Sequence, residues 1–246
     1  MITDPILWIS AVLGAFMVGI AKAGITGLSI LSIALFNHVF SSAKQTTGLV
    51  LPLLIFGDIV AVAVYRKHTQ WAYLWRLFPW TAIGVVLGYL TLGRISDPHA
   101  RILIGWIIVS LAALSYWQRF AGSESEAVSF HWSVSALIGI TAGFITLVAN
   151  AAGPLMAIYL VAMRLPKMEY VGTAAVFFML LNLFKVPFMV DLGLITPQSF
   201  TFNLMLAPAV LLGVLAGRWL VARVNQSLFE QLVLLLSAIG GIMLIF

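Results

Sequence analysis

A lysine stands inside the apolar stretch VFFMLLNLFKVPFMV, at Lys185, and an ammonium in such a setting needs a partner or a use. Asn182 precedes it by about one helical turn, so amide and ammonium would share a helix face. A carboxylate, Asp58, stands in the comparable stretch LLIFGDIVAVAVY. Two further apolar runs are interrupted by polar or helix-breaking residues: Lys22, Gly24 and Thr26 in KAGITG, and Asn150, Ala151, Gly153 and Pro154 in ANAAGP. These residue types suit reversible binding of an anion. Ammonium and amide N–H groups donate to oxyanion oxygens. A helix restarting at Gly153–Pro154 adds free backbone N–H groups and the positive end of its dipole. Two such restarts facing each other would cradle an oxyanion, and Asp58 would either carry a proton or hold a lysine in place.

Each residue also has a plainer reading. Lys185 could snorkel toward the interface near Asp191. Asp58 could pair with Lys185 or, two turns on, with Arg66. Lys22 could be an ordinary interfacial lysine, and the glycines could serve only close helix packing. Enzyme chemistry finds no footing: there is no HExxH, Walker A or GxSxG motif. With zero cysteines there is no disulfide, thiol, Cys-zinc or iron–sulfur chemistry. The four histidines, His38, His68, His99 and His131, sit in or beside polar connections. No catalytic residue, metal or cofactor is expected.

The elements that must hold these residues follow from composition. The chain has 246 residues, 62% hydrophobic and 9% charged, with a mean hydropathy of +1.09. Soluble domains carry about 25% charged residues, so this surface belongs in lipid. Apolar runs near the ~20 residues that span a bilayer recur throughout. They fall at 5–21, 25–36, 44–65, 71–92, 101–118, 132–149, 154–163, 168–190, 198–222 and 226–246. The fold class is therefore all-α, a polytopic transmembrane helical bundle. The start, MITDPILW, has no basic region, which predicts that the first segment is kept rather than cleaved. A net charge of +5 without clustered basic residues fits loops beside anionic lipid, not nucleic acid.

The one hydrophilic linker, RFAGSESEAVSFH at 119–131, divides the chain into repeats at 1–118 and 132–246. Its Glu124 and Glu126 read as solvated. Pro79, Gly84, Gly88 and Arg94 recur at one constant offset as Pro208, Gly213, Gly217 and Arg223. Gly48 and Asp58 recur at a second as Gly172 and Asn182. Each half holds five segments, and an odd number of crossings inverts one repeat against the other. If the chain turns back at both breaks, Arg66, Lys67, Arg76, Arg119, Arg164, Lys167 and Arg223 share one face. Only Lys44, Arg94 and Arg101 share the other. The positive-inside rule then places both termini outside the cytoplasm. Trp71, Trp75, Trp80, Trp117 and Trp132 flank segment ends and read as interfacial belts.

The stretch ANAAGPLMAIYLVAMRLPKMEYVGTAAVFFMLLNLFKVPF resembles the second-half signature of the sulfite exporter TauE/SafE family, also called the toluene-sulfonate uptake permease superfamily. GIAKAGITGLSI and LPLLIFGDIVAVAVYRKHTQW resemble its first-half counterparts, so the resemblance covers essentially the whole chain. The turn KAGITG is less glycine-rich than the family pattern, and the absence of cysteine argues against relatives that pass thiosulfate along cysteines. The resemblance implies a multi-pass carrier of the bacterial inner membrane, moving sulfite, an organosulfonate or a related small sulfur-containing anion. A passive anion channel and a carrier of small carboxylates are the alternatives. The expected substrate-binding residues are Lys22, Gly24, Thr26, Asn150, Ala151, Gly153, Asn182 and Lys185, with Asp58 for proton coupling or ion pairing. Expected partners are the anion, membrane lipid, protons as coupling ion, and a second copy in a homodimer.

Overall fold

The computed structural model describes residues 4–40, 43–91, 106, 109, 113 and 132–245. Among these the chain is helical, with no strand. Helices α1 (Pro5–Lys22), α2 (Leu28–Phe40), α3 (Ala43–Tyr65) and α4 (Trp71–Thr91) belong to the first half. Helices α5 (Trp132–Ala149), α6 (Gly153–Ala162), α7 (Lys167–Asp191), α8 (Pro197–Arg223) and α9 (Gln226–Ile245) belong to the second. The expected segment 101–118, apart from three positions, lies outside the described residues, as do the linker 119–131, Arg94 and His99.

Local signals account for the helix ends. Asp4 caps α1 by accepting from the Ile6 N–H at 2.8 Å, with Pro5 as the first helical residue. Thr196 and Ser199 form a reciprocal capping box at the start of α8. Lys167 closes the other end of α8, its ammonium donating to the carbonyls of Val221 and Val224 at 2.9 and 2.5 Å.

Six described helices, α1, α3, α5, α7, α8 and α9, are long and apolar enough to cross a membrane. Their outward faces carry the apolar side chains that lipid would cover, among them Leu13, Leu137, Leu204, Leu212 and Leu235, all about half or more exposed. Helix α6 is the opposite case, since its residues from Gly153 to Val161 are all buried. At about 1.5 Å per residue it is only about 15 Å long, half the hydrocarbon thickness of a bilayer.

The chain turns back at its first break. Trp8 near the start of α1 and Phe40 at the end of α2 both pack on Phe202 of α8, with ring centroids 5.5 and 5.4 Å away. Halfway along the pair, Gly14 faces the Phe36 ring so closely that a Cβ would stand 3.1 Å from it. Helix α2 runs over 28–40 rather than the expected 25–36. Ile25 and Thr26 belong to the turn, where Ile25 and Thr26 carbonyls accept from Leu28 and Ser29 N–H at 3.0 and 3.1 Å. At its other end the polar pair Asn37–His38 continues the helix instead of stopping it.

Two helix pairs are joined backbone to backbone. A Cβ on Gly84 of α4 would meet the carbonyl of Ile140 in α5, and one on Gly213 of α8 would meet the carbonyl of Phe16 in α1. The reverse side of each seam matches too: Gly143 faces the Thr81 carbonyl, and Gly19 faces the Val210 carbonyl. Gly88 and Gly217 likewise face Leu147 and Ala23. The two seams are the same set of contacts, displaced by the two offsets that relate the halves in the sequence. Only hydrogen at these positions lets the helices come so close. Helices α3 and α7 pack between the pairs, and α7 buries its length from Tyr170 to Phe178.

Candidate functional site

Four elements meet where the breaks stop α1 and α5 inside the bundle. The first break bends at Gly24, whose φ of +122 suits only a residue without a side chain and whose hydrogen faces Val171. The second bends at Asn150, with φ 51, a left-handed position that asparagine tolerates because its short amide can bond locally. Here the amide is held by α3: Asn150 Nδ2 donates to the Thr47 carbonyl at 2.8 Å, and Thr47 Oγ1 donates to the Val148 carbonyl at 3.1 Å. Sequence reasoning missed Thr47. Its signal was the polar run Gln45–Thr46–Thr47 at the head of an apolar segment.

The breaks touch. A Cβ on Gly153 would stand 2.8 Å from the Thr26 carbonyl and against Ser29 Oγ, so glycine is needed where the start of α6 meets the start of α2. Thr26 Oγ1 in turn shares a hydrogen bond with the Tyr170 hydroxyl of α7 at 2.9 Å. The two restarts differ in what they offer. At α2 the Leu28 and Ser29 N–H groups are committed to the turn carbonyls.

Behind the breaks runs one chain of charged and polar side chains. Lys22 pairs with Asp58 at 2.6 Å, the lysine 10% exposed and the aspartate fully buried. The lysine ammonium also lies over the Phe178 ring, 5.0 Å from its centroid. Asn182 Nδ2 donates to the second Asp58 oxygen at 2.6 Å. Lys185, fully buried, donates to Asn150 Oδ1 at 2.5 Å, to Thr146 Oγ1 at 3.2 Å and to Asn182 Oδ1 at 3.4 Å. The snorkelling reading of Lys185 is therefore overturned: its ammonium turns inward to Asn150, and Asp191 instead accepts from the Tyr89 hydroxyl at 2.5 Å. Asp58 takes neither of its expected partners directly. Arg66 stands exposed in the turn after α3, and Asn182 separates Asp58 from Lys185. Asp58 and Asn182, the residues that the sequence offset equates, meet side by side.

A cleft opens onto this chain. Lys22, Thr26, Asn150, Gly153 and Asn182 line it, with Phe178 and Leu54 among its apolar walls. Thr146, Ser29 and Ser32 also line it, and none of the three stood out in the sequence, although Ser29 and Ser32 share a face of α2 one turn apart, with Thr26 three residues before them in the turn. Its free volume of about 30 Å³ for the centres of water-sized groups accommodates two or three waters or one small oxyanion. Of the other expected site residues, Gly24, Ala151 and Lys185 stand behind the lining. They shape the turns or hold the lining amides.

A bundle of lipid-facing helices with a charged, partly enclosed cleft at its broken helices defines a polytopic membrane protein built around an internal polar site. The family model described as Sulfite exporter TauE/SafE matches residues 11–244, nearly the whole chain, and the protein belongs to that family, one of membrane transporters. No curated protein and no solved structure matches it.

Proposed function

We infer that this protein is a secondary carrier that exports sulfite, an organosulfonate or a related small sulfur-containing anion across the bacterial inner membrane by alternating access. The observation that carries the reading is the charge count at the cleft. Two ammonium side chains, Lys22 bonded to Asp58 and Lys185 linked to it through Asn182, share that one carboxylate, so the cluster holds one formal positive charge in excess. An anion entering beside Lys22 balances it, and an unbalanced buried charge is costly. Lys22, Thr26, Thr146 and the α6 N-terminus supply donors to its oxygens. Lys185 acts through the lining, fixing the amides of Asn150 and Asn182 rather than touching the anion. Asp58 restrains Lys22 and provides the carboxylate through which protons would couple to the cycle.

Inverted repeats supply the two access routes in this reading. In support, the α1–α2 hairpin opens beside the start of α8 at Phe202, whereas α6 leads out to Lys167 beside the end of α8. Two hairpins entering from opposite faces give alternate access to one central cleft. An inside-negative potential favours outward movement of the anion by ~2.3 kcal/mol per charge per 100 mV. The test is sulfite efflux from liposomes containing the purified protein, with and without an imposed potential. Lys22→Ala and Lys185→Ala are expected to abolish efflux while the protein remains folded. Unchanged flux in Lys22→Ala would remove the proposed site.

A further inference from the structure

The hydroxyls on the α2 wall of the cleft have their protons committed elsewhere. Ser29 Oγ donates to the Thr26 carbonyl at 2.7 Å, and Ser32 Oγ donates to the Ser29 carbonyl at 2.7 Å. A hydroxyl carries one proton and two lone pairs, so each of these serines faces the cleft as an acceptor. The opposite wall is made of donors. The Lys22 ammonium spends one proton on Asp58, and the Asn150 and Asn182 amides each spend one N–H on a carbonyl or carboxylate, so each of these lining residues retains further N–H capacity. A fully deprotonated oxyanion has only acceptors to offer and would set its oxygens against the lone pairs of Ser29 and Ser32. Ser32 is 1% exposed, so an oxyanion set against its lone pairs gains little compensation from bulk solvent.

We propose that the cleft selects the singly charged, O–H-bearing form of an oxyanion, its charged oxygens toward Lys22 and its hydroxyl donating to Ser29 and Ser32, over the dianion. The excess formal charge of the Lys22–Asp58–Lys185 cluster points the same way without reference to the serines. One negative charge balances it, and a second would be left buried without a counter-charge. The proposal rests on the anion-carrier reading and adds the protonation state of its cargo. In a hydrogen oxyanion a proton travels on the substrate itself, so one crosses with each turnover in addition to any that Asp58 carries.

The experiment measures equilibrium binding to the purified full-length protein in detergent, followed through the quenching of its tryptophans. The probes are sulfite and selenite on either side of their second ionisation, methanesulfonate as a monoanion without O–H, and sulfate as a dianion. Methanesulfonate affinity over the same pH range corrects for titration of the protein. Hydrogen sulfite and hydrogen selenite are expected to bind at least about tenfold tighter than sulfate, the equivalent of one charge-assisted hydrogen bond. Ser29→Ala and Ser32→Ala are expected to remove most of that preference and to leave methanesulfonate within about twofold, which also reports a folded site. The proposal is overturned if sulfate or the deprotonated forms bind as tightly, or if the serine variants weaken methanesulfonate equally. It is also overturned if exchanging sodium for potassium changes the affinity tenfold, because the hydroxyls would then hold a cation. Failure of methanesulfonate and every other anion to bind would instead sink the anion site itself, and with it the carrier reading.

Discussion

Replacing Asp58 by leucine tests the core of the cluster, because the volume is nearly kept while both of its bonds are lost. The ion pair with Lys22 at 2.6 Å and the Asn182 bond at 2.6 Å disappear together. Lys22 is only 10% exposed, so its ammonium would recover little of the hydration of a free lysine. Removing one partner of a buried pair strands the other and costs ~3–5 kcal/mol. Lys22→Met alone is expected to cost less, since Asp58 keeps the Asn182 bond. The double variant Lys22→Met/Asp58→Leu no longer strands Lys22. Lys185 loses the nearby carboxylate in it just as in Asp58→Leu, and the further loss is chiefly the Asn182 N–H left without an acceptor, about 1–3 kcal/mol. The double variant should therefore be more stable than Asp58→Leu alone, by about 2 kcal/mol on these figures. Unfolding of the four proteins by SDS titration in mixed micelles, followed by helical circular dichroism, gives the cycle. Additive single effects, with a coupling below about 0.5 kcal/mol, would refute the assignment of Asp58 to Lys22.

At the second break, Asn150→Gly should be more stable than Asn150→Ala by about 1–2 kcal/mol in the same unfolding assay. Both lose the Thr47 and Lys185 bonds, and only alanine strains the left-handed backbone. Gly84→Ala and Gly213→Ala should lower the yield of folded protein to a similar extent, read by size exclusion in detergent, since each added methyl meets a carbonyl at an equivalent place. Gly193→Ala serves as their contrast. It has φ 65 but open space around it, so it should cost about 1 kcal/mol of backbone strain and still fold. Tyr170→Phe loses one bond to Thr26 across the first break and should cost about 0.5–1.5 kcal/mol.

Most of the helices were legible because lipid-facing and core-facing residues alike must be apolar, so each span announces itself by length. The limits of α1, α5 and α8 were read to within a residue or two from the apolar runs alone, and the caps at Asp4–Pro5 and Thr196–Pro197 fix two of their starts in the structure. The start of α2 was misplaced because Ile25 looks like the beginning of an apolar run, and only the bonds of the turn show that it is not. Asp58, Asn182, Lys185 and Asn150 were conspicuous for the cost of burying them, and the structure gathers them together. Their pairing was not readable. Spacing along one helix places Asn182 beside Lys185, but nothing in a sequence brings Lys22 on α1 to Asp58 on α3. Thr47, Ser29 and Ser32 escaped notice because a serine or threonine can hide its hydroxyl on its own helix, and so raises no alarm in an apolar run.

The matched glycine seams have a mechanical consequence. Where α1 meets α8, and where α4 meets α5, backbone lies on backbone, and a shift of one residue along either seam would drive a side chain into a carbonyl. Neither pair can slide or roll internally, so each behaves as a single plank two helices wide. In the carrier reading, a motion that opens the cleft would be taken up at the planks' inner edges, against α3 and α7. In the carrier reading, a hinge would thus be a surface between these planks rather than a bend within any one helix.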